Sequence, residues 1–199
     1  MSKPATIDLF VEDRGHELLI SALARRIARE ENKPVELRPR SSVGGHGRAV
    51  TEFKTHQMLV DKGALSAPDL FIVAIDANCQ SYSGKKTEIQ SASLERFRGS
   101  LVLACPDPHV ERWYMADAVS FHAVVGVAPR IRKRKCERDY YKRALAKAVR
   151  DGGHPPTLGG IEFALELAER MDFYAAGKAD RSLGAFLNDL RAAIRRFPD

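Results

Sequence analysis

Along the first two-thirds of the chain, short apolar runs alternate with segments whose apolar residues recur every three or four positions. "TIDLFVE" (6–12), "PVELRPR" (34–40), "DLFIVAID" (69–76) and "SLVLACP" (100–106) read as strands. Between them, "HELLISALARRIAREE" (16–31) places Leu18, Leu19, Ala22, Leu23 and Ile27 at helical spacing. "AVTEFKTHQMLVDKG" (49–63) and "KKTEIQSASLERF" (85–97) read as further helices, the first with Gly63 as its C-cap. Near-continuous apolar strands joined through helices predict a mostly parallel sheet with helices on both faces. In such a sheet, functional groups gather beyond the carboxyl ends of the strands. Glu12 and Asp76 stand at two such ends.

From about Cys136 onward only helical patterns remain. "CERDYYKRALAKAVRDGG", "GIEFALELAERMDF" and "RSLGAFLNDLRAAIRRF" are amphipathic, "PPTLGG" reads as a linker, and Ser182 reads as an N-cap. This divides the chain into an α/β domain over 1–128 and, over 129–199, a basic segment with a C-terminal helical extension packed on that domain. A length of 199 residues suits this size. No apolar run reaches the ~18 residues of a membrane span, and no basic stretch followed by an apolar one opens the chain. The expectation is a cytoplasmic protein with no membrane partner. The three cysteines, Cys79, Cys105 and Cys136, are widely spaced and form no CxxC. Their spacing suggests neither a zinc ribbon nor a redox pair. Cys105 reads as a small buried hydrophobe, and a nucleophilic Cys79 is the minor alternative.

Charge changes the picture. The formal net charge is +6, and Pro129 to Arg150 holds ten Lys/Arg against two acids. Arg130, Arg132, Lys133, Arg134 and Lys135 are candidate contacts to a polyanion, bound through counterion release. A solvated helix face preceded by a loop is the alternative. "RPRSSVGGHGR" combines backbone-exposing glycines with Arg38, Arg40, His46 and Arg48, a combination that could cradle a phosphate. It is neither a P-loop nor GxGxxG, and a flexible, solubilising loop accounts for it equally well. Lys85 and Lys86 join the candidate nucleic-acid contacts. The chain has no Walker A motif, so any ATP-driven step must come from another protein.

Three short stretches carry candidate chemistry. In "VEDRGHE", Glu12 closes a strand, and Glu17 opens a helix as a first-turn acid favoured by the helix dipole. In "IDAN", Asp76 and Asn78 point the same way if the backbone stays extended. Such oxygen ligands suit Mg²⁺; an Asx-turn pair is the alternative. In "CPDPHVERWYMAD", Asp107 reads as an N-cap and Pro108 as the first helical residue, which places Glu111 in the first turn. Trp113 reads as a packing residue. Acids gathered beside a basic surface repel one another unless a cation sits between them, which argues for a divalent metal acting on a phosphodiester.

These stretches resemble the TOPRIM domain of topoisomerases, bacterial primases and overcoming-lysogenization-defect nucleases. They are most similar to a family of small TOPRIM-like prokaryotic proteins of unknown function, often encoded beside an ABC/SMC-type ATPase in defence loci. "VEDRGHE", "IDAN" and "PDPHVERWYMAD" stand where that family has "VEG..E", "DaD" and "P.pEIEaWLlaD". The resemblance implies a metal-dependent nuclease in an anti-phage defence complex, using Mg²⁺ or Mn²⁺, with DNA ahead of RNA as substrate and an ABC/SMC-type ATPase as partner. Glu12 would be the general acid/base or a metal ligand, Asp76 the principal metal ligand, Asn78 the second ligand and Glu111 the third acid. Asn78 replaces the family's second acid and Asp13 its glycine. These departures leave open a degenerate site that binds nucleic acid or an ATPase without cutting.

Overall fold

The computed structural model describes residues 3–41, 46–137 and 139–198. Four strands, β1 (Ala5–Val11), β2 (Val35–Ser41), β3 (Leu70–Ala74) and β4 (Leu101–Ala104), form one all-parallel sheet in the order β2-β1-β3-β4. α1 (Arg14–Glu30) leads from β1 to β2, α2 (His46–Asp61) from β2 to β3, and α3 (Tyr82–Ala92) from β3 toward β4. The walk from β1 to β2 runs one way across the sheet, and the walk from β2 through β3 to β4 runs back. Right-handed crossovers then put α1 on one face and α2 and α3 on the other. This is a Rossmann-like α/β fold, with its topological switch point between β1 and β3.

Side-chain alternation divides the core accordingly. Ile7, Leu9, Val11, Ile72, Ala74, Val102 and Ala104 face α1 and the C-terminal helices. Phe10, Phe71, Val73, Ile75, Leu103 and Cys105 form a second cluster with Ala49, Phe53 and Ile89 of α2 and α3. Asp8 lies on the α2 face and is buried. Its carboxylate lies 2.8 Å from His56 Nε2 and 3.8 Å from Arg40 Nη2. A buried carboxylate needs such partners.

After β4 the chain returns to the α1 face as α4 (Val110–Tyr114), α5 (Ala118–Val125), α6 (Tyr140–Asp151), α7 (Ala164–Arg170), α8 (Phe173–Ala179) and α9 (Arg181–Arg195). The helices beyond residue 129 share one hydrophobic cluster with the sheet through Tyr141, Leu145, Leu183 and Phe186. Two N-caps differ from the sequence expectation. α9 is capped by Asp180, whose carboxylate accepts from Ser182 N and Leu183 N. α4 begins at Val110, not Pro108, with His109 at the N-cap position, and the Asp107 carboxylate lies 2.7 Å from Lys135.

Ser182 is instead a buried junction. Its Oγ accepts from Trp113 Nε1 at 2.9 Å and from Asp107 N at 3.1 Å, and donates to Asp180 Oδ1. Trp113 is fully buried and stacks on Phe186 at 5.4 Å. This junction fixes the segment between β4 and α4 against α9. Ser182→Ala leaves the indole N–H and the Asp107 amide without their acceptor, a loss of about 2 kcal/mol. The midpoint of thermal unfolding is expected to fall by roughly 4–8 °C; an unchanged midpoint by circular dichroism would refute this role.

Candidate metal centre and its cavity

β1, β3 and β4 end in register at Val11, Ala74 and Ala104. Pairing continues past these ends, with Glu12 N donating to Ala74 O, Ile75 N to Ala104 O and Ala77 N to Pro106 O. The continued ladder carries Glu12 and Asp76 side by side at the switch point. Asp76 N donates to Glu12 Oε2 at 3.1 Å.

Asp76 is 6% exposed. Its Oδ1 accepts from Val110 N at 2.9 Å and lies 3.0 Å from His16 Nε2, and its Oδ2 lies 2.9 Å from His109 Nδ1. The carboxylate thus satisfies the first free amide of α4 from across the sheet. His16 is fully buried, and its Nδ1 lies 2.8 Å from Asp13 Oδ1. Asp13 is also the N-cap of α1, accepting from His16 N. One imidazole therefore spans two carboxylates.

The protonation states follow from this geometry. Burial alone would depress the His16 pKa, but the Asp76 charge and hydrogen bonds to Asp13 and Asp76 outweigh it and hold the pKa well above 6.5. Burial would likewise raise Asp76, yet the His16 charge and the His109 hydrogen bond leave it lowered. Asp13 also stays below the usual carboxylate range: burial opposes this, and His16 overcomes it. His109 is raised by its hydrogen bond to Asp76. Glu111 goes the other way: burial, then repulsion from Asp76, raise its pKa.

Glu12, His16 and Asp76 each offer a ligand atom, all within 4.8 Å of one another, and this group could hold a metal ion. The donor set is one nitrogen and two carboxylates. That mixture suits Mn²⁺ or Zn²⁺ better than Mg²⁺, which favours oxygen and water. To become a ligand, Nε2 of His16 must give up a proton and its hydrogen bond to Asp76.

A cavity of about 310 Å³ opens over the group, lined among others by Glu12, Asp76, His109, Lys135 and Lys142. Of the residues singled out from sequence, Glu12 and Asp76 converge. Asn78 lines the cavity but not by strand alternation. Its φ of +53° ends the extended run, and its Nδ2 donates back to Asp76 O. Glu111 stays outside the group. It is buried beside a neighbouring cavity with Asp13 and Lys142, and its Oε2 has no hydrogen-bond partner. His16 takes the place expected for that third acid.

The expected basic contacts scatter. Arg38 pairs with Glu36, Arg40 faces Asp8, and Arg48 pairs with Glu52. Lys86 lies 3.5 Å from Asp189. Lys85 is 3% exposed and bonded to Glu88, so it is not a surface contact. His46 opens α2, and its side chain, like most of the glycine-rich loop, lies outside the described residues. Arg130, Arg132, Lys133 and Arg134 are exposed, and Lys135 reaches the cavity. A second groove of about 670 Å³ adjoins the cavity through Lys135 and Tyr141. Arg112, Lys133, Arg134, Lys178 and Arg181 line it. Lys178 and Arg181 come from the α8–α9 junction, and only the folded chain sets them beside the 130–135 segment.

The shifts fix how stability depends on pH. The raised His16 pKa contributes stability that is complete below about 6.5 and is lost as pH rises through the folded value. The lowered Asp76 pKa contributes stability that is present above about 3.8 and is lost as pH falls through the folded value. Both contributions are whole between roughly pH 4 and 6.5. In a long-range ¹H–¹⁵N spectrum at pH 7.5, both ring nitrogens of His16 are expected to be protonated; a neutral tautomer would contradict the assignment. Comparison of the chain with family models, with curated proteins and with solved structures gives no match.

Proposed function

We propose that the chain is a TOPRIM-like, divalent-metal-dependent hydrolase of nucleic-acid phosphodiesters. The observation that carries this reading is the convergence of Glu12, His16 and Asp76 at the switch point, beneath a cavity whose wall includes Lys135 and Lys142. A divalent ion held there would neutralise charge on the phosphodiester and acidify a bound water. Mn²⁺ fits the donor set better than Mg²⁺.

The chain's own residues have distinct tasks. Lys135 and Lys142 draw the phosphate into the cavity. His109, half-buried and with its pKa raised by its hydrogen bond to Asp76, is the group suited to deliver a proton to the leaving oxygen. Asp76 orients that imidazole through Nδ1. Glu12 lines the cavity beside Asp76 and is the carboxylate suited to receive a proton from attacking water. The groove lined by Lys133, Arg134, Lys178 and Arg181 continues the positive path for the strand.

One observation favours a second reading, a subunit that binds without cutting. Both Asp76 oxygens already have partners, and Asn78 supplies no second charge. DNA and RNA cleavage assays with Mn²⁺, Zn²⁺ or Mg²⁺ separate the two. Hydrolysis is expected with Mn²⁺, with Asp76→Asn and His109→Gln each lowering kcat by at least about 100-fold while DNA binding persists. Absence of cleavage with every ion and both substrates, alongside intact binding, selects the binding subunit.

The groove makes a separate prediction. Lys178→Glu combined with Arg181→Glu should weaken DNA binding and reduce the slope of log K against log salt by about 2. An unchanged slope would remove the α8–α9 junction from the interface.

A further inference from the structure

Cys79 and Cys136 lie far apart in the sequence, yet both are exposed and both line the candidate metal cavity. Cys136 is close enough to be the first cause of a raised Cys79 pKa, while both thiols keep the exposure that Cys105 lacks. The two sulfurs come from structurally different walls. Cys79 follows the left-handed turn at Asn78, whose backbone is anchored by Asn78 N donating to Pro108 O and Ala77 N to Pro106 O. Cys136 belongs to the basic segment between α5 and α6. That segment touches the body through Lys135 on Asp107, Arg132 N on Tyr140 Oη and Arg134 N on Tyr141 Oη. Cys105, the remaining thiol, is fully buried, and burial pushes its pKa up to about 12. It is inert by comparison.

No histidine, carboxylate or third cysteine joins the pair in a metal-holding group among the described residues. Two exposed thiols on facing walls of one cavity, with no third ligand, suit thiol–disulfide exchange better than metal binding. We propose that Cys79 and Cys136 are an oxidative modification site, forming a reversible disulfide that fastens the basic segment across the rim of the cavity. The oxidant is a low-molecular-weight disulfide. One protein thiolate attacks it, forming a mixed disulfide and releasing one small thiol. The second protein thiolate then attacks the protein-side sulfur and displaces the other small thiol. The protein pair loses two electrons and two protons, and the small disulfide gains them. Oxidation ties Lys135 and its neighbours to the end of β3, narrowing the entrance over Glu12 and Asp76; reduction frees them.

The full chain, incubated with glutathione disulfide, tests this without metal or nucleic acid, so its outcome is separate from that of the proposed hydrolase. Two of the three thiols should disappear without a retained glutathione adduct. Non-reducing peptide mass spectrometry should show Cys79 joined to Cys136 within one chain. Trypsin cleavage within 130–135 should slow several-fold, the thermal midpoint should rise by roughly 5–10 °C, and dithiothreitol should reverse both. Cys79→Ser and Cys136→Ser should each abolish every one of these changes. Stable glutathione adducts on both cysteines, covalent dimers, or an internal disulfide that leaves trypsin cleavage unchanged would each overturn the proposal.

Discussion

A single carboxylate, that of Asp76, holds together the ends of three chain segments that would otherwise have no reason to meet. It accepts the first amide of α4, touches His16 of α1 and orients His109 before α4. Its own amide donates to Glu12 after β1. An isolated carboxylate this deeply buried costs several kcal/mol unless paired and hydrogen-bonded. Here the compensation comes from two imidazoles and a helix N-terminus, so the same contacts that make the burial tolerable also build the site. Removing Asp76 removes the largest favourable contribution to the charge on His16, leaving Asp13 alone, and with it the tie between β3 and the α1 N-cap.

Much of the fold was readable in the chain because the strands are apolar throughout and the helices carry a clear apolar stripe. Those two signals dictate a doubly covered parallel sheet, and its strand ends dictate where Glu12 and Asp76 stand. The rest of the site was less legible. His16 sits three and four residues before Leu19 and Ile20, on the core face of α1, and a polar residue in that phase was the available signal for a buried, partnered imidazole. Glu17, the more conspicuous polar residue of that turn, forms a local pair with Arg14 at the surface. Asn78 reaches the cavity beside Asp76 by a turn and not by strand alternation, which ends where φ turns positive, and local sequence does not reveal that turn. Glu111 does stand in the first turn of α4, as its spacing suggests, but it lies outside the group formed by Glu12, His16 and Asp76.

The basic residues divide by the same logic. Arg48 lies four residues before Glu52 on α2, and Arg38 two residues after Glu36 on β2, so their pairing was visible in local spacing. Lys178 and Arg181 carry no such sign. Their meeting with Lys133 and Arg134 depends on α9 packing against α1 and β4. Cys79 and Cys136 are an equivalent case: linear spacing argued against a pair, and tertiary structure made one.

Within the cluster, the imidazolium of His16 already does what a metal would do for the acids. Asp13 and Asp76 are both stabilised in their charged form by one proton shared through one ring. A divalent cation entering between Glu12 and Asp76 weakens the reason for that proton to stay. If Nε2 becomes a ligand, a proton leaves, and Asp13 then accepts from Nδ1–H, the orienting arrangement a metal-bound histidine ordinarily has. Proton and metal would thus compete for one carboxylate, and the helix cap at Asp13 would suit either state. A deep, paired Asp76 is then compatible with metal chemistry.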